Sequence, residues 1–220
     1  MFSSAEISMI LEGLRDSLYM TLASTILGYV IGLPWGIVLT ISGKGGLKPN
    51  RGLYRVLDVI TNVMRSVPFL ILLILIIPLT MLIVGQTYGA TAMIVPLTVS
   101  AAPFIARMVE TSLNEVDHGV IEASQSMGAS NFQIIFKVLI TEARISLIAG
   151  ATITIGTILG YSAMAGTLGG GGLGDIAIRY GYYRYQANIL WVTVILLVLL
   201  MQIFQFVGTW ISTKLDRRKK

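Results

Sequence analysis

Cysteine is absent from this chain of 220 residues, and histidine occurs once, at His118. Without thiols there is no disulfide framework and no thiol nucleophile, and a lone histidine cannot build a zinc site. Charge is scarce as well. Asp, Glu, Lys and Arg make up 12% of the residues, against about 25% in a typical soluble domain. No G-x-x-x-x-G-K-[ST] occurs, so a P-loop is excluded and the chain is not expected to be an enzyme or to hold a cofactor. The N-terminus also lacks the order of a secretory signal. Glu6, Glu12, Arg15 and Asp16 stand where a positive stretch would begin, so the first apolar block is expected to remain as a helix.

Apolar residues are abundant. They make up 55% of the chain, mean hydropathy is +0.79, and they fall in long blocks. Runs of this length point to helices that cross a bilayer. The blocks predict an all-α polytopic membrane protein with five spans, at about 17–41, 56–84, 90–108, 145–168 and 189–211. The second holds an unbroken apolar stretch over 67–84. Pro34, Pro68, Pro78, Pro96 and Pro103 are expected to kink their helices, which a membrane bundle tolerates because neighbours re-satisfy the freed backbone groups. Gly28, Gly32 and Gly36 recur every four residues and predict a close helix–helix approach, within the subunit or between subunits.

The net charge of +5 is distributed as a membrane protein distributes it. Lys44, Lys48, Arg51, Arg55, Arg107, Lys137, Arg144, Lys214, Arg217, Arg218, Lys219 and Lys220 fall on one side of the spans, while Arg15, Arg179 and Arg184 fall on the other. The positive-inside rule places the first group in the cytoplasm, with the N-terminus outside and the C-terminus inside. The expected organisation is an external segment 1–16, a transmembrane domain 17–211 and a basic cytoplasmic tail 212–220. The tail would touch anionic lipid, and nucleic acid is not an expected partner.

The segment 110–144 is long, amphipathic and without an apolar block. Asp117 suits an N-cap and Gly128 a C-terminal stop. Ser130 followed by Gln133 reads as a capping box. The helix after it would align Phe132, Ile135, Phe136 and Leu139 on one stripe. Two short helices joined by a tight turn at Gly128 and Ala129 would present a knob that suits a groove on a soluble partner. Glu110, Glu115, Asp117 and Glu122 form an acidic group that either faces solvent or pairs with such a partner. His118 is expected to be a solvated residue of the first turn.

Glu122 and Ala123, Gly128 six positions after Glu122, and Val138, Leu139 and Ile140 together resemble the EAA loop of type I ABC importer permeases. The family's closing proline is replaced by Thr141 and its second alanine by Ser124. Three further stretches are similar to methionine importer permeases. They are Arg65-Ser66-Val67-Pro68-Phe69, the run IVPLTVSAAPFIARMVE over 94–110, and Tyr161-Ser162-Ala163-Met164-Ala165-Gly166 with the glycines of 169–174. The polar amino-acid permeases share the Arg-x-x-Pro pattern and the loop, but match less over the last two stretches.

The resemblance implies a homodimer in a bacterial cytoplasmic membrane, two cytoplasmic subunits that bind ATP–Mg, and an external substrate-binding lipoprotein. It implies methionine as the substrate. It makes the loop between the third and fourth spans a coupling helix, with Asp117, Glu122, Ala123, Gly128 and Ala129 engaging the ATPase. Five spans enclose a path poorly, which independently favours a symmetric pair.

Arg107 stands at the very end of the third span, so Arg65 is the one basic residue well inside a span, where a charge costs about 2.5–3.5 kcal/mol on insertion scales. Two roles are open for it: pairing with Asp58 or loop carbonyls, or a part in the translocation path. Met164, with Tyr161 and Ser162 nearby, is a candidate for an apolar gate or for plain packing. Gly169, Gly171 and Gly174 fit G-x-G-x-x-G, but they follow a membrane helix rather than a strand, so no dinucleotide site is expected. A flexible external loop facing the binding protein is the expected reading. The alternatives to a methionine permease are an ABC permease for another polar amino acid and an ion-coupled secondary transporter. The latter would carry acidic residues within its spans, and only Asp58 approaches that.

Overall fold

The computed structural model describes residues 2–215. Arg217, Arg218, Lys219 and Lys220 of the expected tail lie outside the described residues. The chain is all helical over the described residues. α1 (Ser4–Ser42) is followed by α2 (Arg51–Ser66), α3 (Phe69–Leu75), α4 (Ile77–Val84), α5 (Ala90–Asn114) and α6 (His118–Ser126). A composite segment comes next: α7 (Asn131–Gln133), a π-helical stretch Ile134–Leu139, and α8 (Ile140–Glu142). α9 (Arg144–Ala165), α10 (Gly172–Ile176), a second π stretch Ala177–Tyr182 and α11 (Ala187–Leu215) complete the chain.

Among the described residues, α1, α5, α9 (with the turn that extends it to Leu168) and α11 are long and apolar enough to cross a membrane. α2 and α3 form a fifth candidate only if they are counted together across a bend of 103°. The expected second span is therefore not one straight helix. The cause is local. Val67 precedes Pro68, whose ring excludes the helical conformation from the residue before it. Val67 is extended and closes α2, and α3 starts at Phe69. Pro78, which lacks an N–H, sits in the first turn of α4, just after the break at Ile76. Pro34, Pro96 and Pro103 lie inside continuous helices. α1 starts earlier than the first apolar block, because Ser3 and Glu6 form a reciprocal capping box. Its 39 residues span roughly 58 Å, well beyond the ~30 Å of hydrocarbon.

α1 and α5 form the central pair, and the glycine stripe explains how closely they approach. A Cβ on Gly32 would lie 2.6 Å from the Ala102 carbonyl oxygen, and one on Gly36 would lie 2.6 Å from that of Ala106. The stripe is thus spent inside the subunit. Around this seam Met20, Leu97, Ile105, Val109 and Ile158 form the buried core. Gly36→Val is expected to cost about 1–3 kcal/mol by forcing the two backbones apart. A lowered denaturation midpoint in detergent checks it.

The glycines after α9 are not a free loop. Gly169, Gly171 and Gly172 have φ of +81°, +73° and +79°, which any side chain would strain. The Leu173 amide donates to the Ser17 hydroxyl at 2.9 Å, and the Gly89 amide to the Gly169 carbonyl at 2.8 Å. Gly170, Gly172, Leu173 and Gly174 are buried against α1 and α9. This corrects the expectation of a flexible segment: these glycines serve a tight crossing of backbone against backbone.

Candidate functional site

The turn between α6 and α7 forms from local signals. The Asp117 carboxylate accepts the Gly119 amide at 2.6 Å and caps α6. At the other end the Ala129 amide donates to the Ser124 carbonyl and the Gly128 amide to Gln125, the paired bonds of a Schellman motif. Gly128 takes φ +79°. Ser130 and Gln133 complete the capping box. Asp117, His118, Glu122, Ala123 and Gly128 are exposed, Ala129 is half-buried, and Ser124 is buried with its hydroxyl on the Val120 carbonyl. The position held by Ser124 therefore requires a small residue.

The apolar stripe expected after Ser130 is divided. Ile134 and Leu139 are buried, Ile135 is half-buried, and Phe132 and Phe136 are exposed with ring centroids 4.5 Å apart. The π stretch Ile134–Leu139 is the reason, since an i→i+5 pattern turns inward residues spaced five apart rather than three or four. With Met127, these rings give the knob an apolar tip. The helix continues through Thr141 to Glu142 and breaks at Ala143, so the chain turns here without the family's proline.

Arg107 organises the end of the bundle above the knob. It projects from α5 and donates to Asp58 at 2.5 Å and to Asn62 at 3.0 Å, both on α2, and to Glu110 one turn on at 2.6 Å. The Tyr54 hydroxyl donates to the other oxygen of Glu110 at 3.1 Å. Glu110 is thus buried and paired within the subunit, which matches neither expectation for the acidic group, a solvent-facing side chain or one pairing with a soluble partner. The cluster clasps α2 onto α5. A cavity of about 290 Å³ below it is lined by the 43–47 turn, Tyr54, Glu110, His118 and Ile121, and separates α6 from the end of α1.

Arg65 does not pair with Asp58, whose partner is Arg107. Its guanidinium lies 5.8 Å from the centroid of the Phe104 ring. It borders a cavity of about 190 Å³ with Met64, Ser100, Thr157 and Tyr161. Tyr161 stacks on Phe69 at 4.6 Å with the rings 1° from parallel, joining α9 to the first residue of α3. Met164 is half exposed one turn further on. Ser162 is buried, and its hydroxyl donates to the Leu159 carbonyl at 2.8 Å, so its side chain faces protein. The structure brings Arg65 and Tyr161 together and leaves Ser162 apart. Sequence reasoning passed over Arg107, Tyr54 and Phe104. The spacing of Arg107 and Glu110, one turn apart in an apolar helix, was the available signal.

Residues 32–220 match the family described as binding-protein-dependent transport system inner membrane component. This chain belongs to that family. It is 49% identical over 210 residues to a probable D-methionine transport system permease protein, MetI, of Vibrio cholerae, covering 96% of this chain and 93% of that one. It is 51% identical over 158 residues to the D-methionine transport system permease protein MetI of Escherichia coli K12, covering 72% and 73%. Among solved structures it matches a chain of the inward-facing MetNI methionine ABC transporter with a TM-score of 0.97 at 47% identity, over 98% of this chain and 100% of that one. An amino acid ABC transporter structure at 19% identity and TM-score 0.72 shares the fold. As an ABC transporter permease, the chain is the membrane component of its machine, and its apolar helices place it in a membrane.

Proposed function

We propose that the chain is the permease subunit of an ATP-driven importer that carries methionine across the bacterial cytoplasmic membrane. The supporting observation is the full-length likeness to the methionine transporter chain, joined to an exposed, locally capped knob between α5 and α9. In this reading α2 and α3 make the second of five spans. The Lys and Arg distribution puts α6 on the cytoplasmic side, with the N-terminus outside and the C-terminus inside. Two copies line a central path. Two ATP-binding subunits receive the knobs, and an external binding protein delivers substrate to the opposite end.

The chain's own part is mechanical. ATP binding draws the two ATPases together, and each moves a knob. α6 packs on the π stretch Ile134–Leu139 through the core formed with Ile121 and Val116, and that segment runs into α9. The Arg107 clasp ties the end of α5 to α2, so the same displacement reaches the Pro68 elbow. The transporter thus exchanges two states through differential contacts at the knob. Met164, near the far end of α9, forms an apolar constriction with its symmetry mate.

The test is uptake of labelled methionine by cells or proteoliposomes that carry the chain with its ATPase and binding protein. ATP-dependent uptake competed by methionine supports the reading, and its absence from an assembled complex overturns it. Gly128→Pro cannot hold φ +79°, and Glu122→Arg reverses the charge on the exposed face of α6. Each is expected to insert normally and to reduce uptake at least tenfold. Unaltered uptake by both would remove the docking role.

A further inference from the structure

We propose that the cavity beside Arg65 is a carboxylate-recognition site that holds an amino-acid substrate in transit, an inference that rests on the transport reading above. None of the four ion pairs among the described residues involves Arg65. Arg65 is exposed on the single subunit, and at mid-span in the transport reading its guanidinium demands a partner, because leaving it uncompensated in an apolar surrounding is costly. Its one neighbour of note, Phe104, is a ring that holds it by cation–π attraction and leaves its N–H groups free. The N–H fork of arginine matches a carboxylate with two parallel bonds.

The rest of the cavity fits the remainder of such a molecule. Met64, Val67, Ala101, Phe104 and Ile158 supply apolar wall, suited to a thioether side chain. Ser100 and Thr157 add hydroxyls, and the Thr157 proton is already committed to the Ile153 carbonyl at 2.9 Å. Its oxygen lone pairs are therefore left to accept from an ammonium. No acidic side chain lines the cavity, so the fixed charge of the site answers only the carboxylate.

The position suits transit as well. Ser100 lies ten residues into α5 and Thr157 thirteen into α9, roughly 15–20 Å from the helix starts at about 1.5 Å per residue. That is mid-depth in each span. The fourth side of the cavity is the α2 side of the elbow, since Arg65 and Val67 lie just before the 103° bend. A change of angle at Pro68 opens or closes the site, so binding is linked to the conformational cycle.

The test is equilibrium binding of tritiated methionine to the detergent-purified complex of permease and ATPase, without the binding protein. Saturable binding is expected. Methioninamide, which keeps the ammonium and thioether but lacks the carboxylate, should compete at least tenfold less well than methionine. Arg65→Gln should weaken binding at least tenfold and remove that preference, and Arg65→Lys should lie between. A purely structural arginine would leave the preference unchanged in whichever variant assembles, and Arg65→Lys carries the test if Arg65→Gln does not assemble. Retained affinity and preference in the variants would overturn the site. So would no saturable binding by a complex that does import methionine. Failure of the wild-type complex to import methionine overturns the transport reading instead.

Discussion

Arg107→Ala is expected to lower stability by about 3 kcal/mol and to detach α2 from α5. Glu110 has a side chain only 6% exposed, and the substitution leaves it with the Tyr54 hydroxyl alone. Removing one partner of a buried ion pair costs about 3–5 kcal/mol, because an uncompensated charge remains. The lower end applies, since Asp58 on the other side of Arg107 is 30% exposed and water compensates it in part. The converse follows from the same physics. Arg107→Met combined with Glu110→Gln and Asp58→Asn removes every charge together, and should restore most of the loss. Denaturation midpoints in detergent, taken around this cycle, measure it. A cost below about 1 kcal/mol for Arg107→Ala would mean that Glu110 reaches water in the assembled protein. The functional loss should exceed the loss of stability. α2 leads into α3 through the Pro68 elbow, and a freed α2 no longer transmits movement of α5 to the Arg65 cavity.

What could be read from the sequence divides along a physical line. Features fixed within a few residues were legible. Asp117 caps the helix it precedes, Gly128 takes the positive φ its position requires, and Ser130 with Gln133 closes the box, because these bonds need no other part of the chain. The long apolar blocks were legible for a similar reason: hydrocarbon thickness sets their length. Features that depend on two distant segments were not. The elbow stands between the two: Pro68 marked a kink there, but the uniform hydropathy of 67–84 concealed its 103° extent. Glu110 looked like its neighbours Glu115 and Glu122, and only the return of α2 across α5 buries it. Phe132 and Phe136 were placed on one stripe with Ile135 and Leu139 by a 3.6-residue period that the π stretch does not keep. Arg65 was singled out by its place in a span, but Asp58, one of the partners offered for it, is taken by Arg107, whose contacts cross 45 and 49 positions.

The glycines after α9 show the same division most sharply, and yield the second large effect. Gly174→Ala is expected to cost at least about 3 kcal/mol, the upper end for overpacked cores, and to reduce the folded fraction recovered from membranes. A Cβ at Gly174 would fall on the carbonyl oxygen and Cα of Ala163, and one at Gly166 would fall on the amide of Asp175. Both obstacles are backbone, so no rotamer change relieves them, and α9 must move away from α10. That movement also breaks the bond between the Leu173 amide and Ser17, which fixes α10 to α1. Gly52 provides the contrast. It lies in the first turn of α2, and a Cβ there would meet only the Asn50 side-chain oxygen, at an ordinary 3.5 Å. Gly52→Ala should therefore be neutral or raise stability by up to about 1 kcal/mol through helix propensity. Denaturation midpoints of the two variants measured side by side decide the matter. Equal tolerance of both would mean that the loop 169–174 yields freely, and that the backbone crossing does not hold α1, α9 and α10 together.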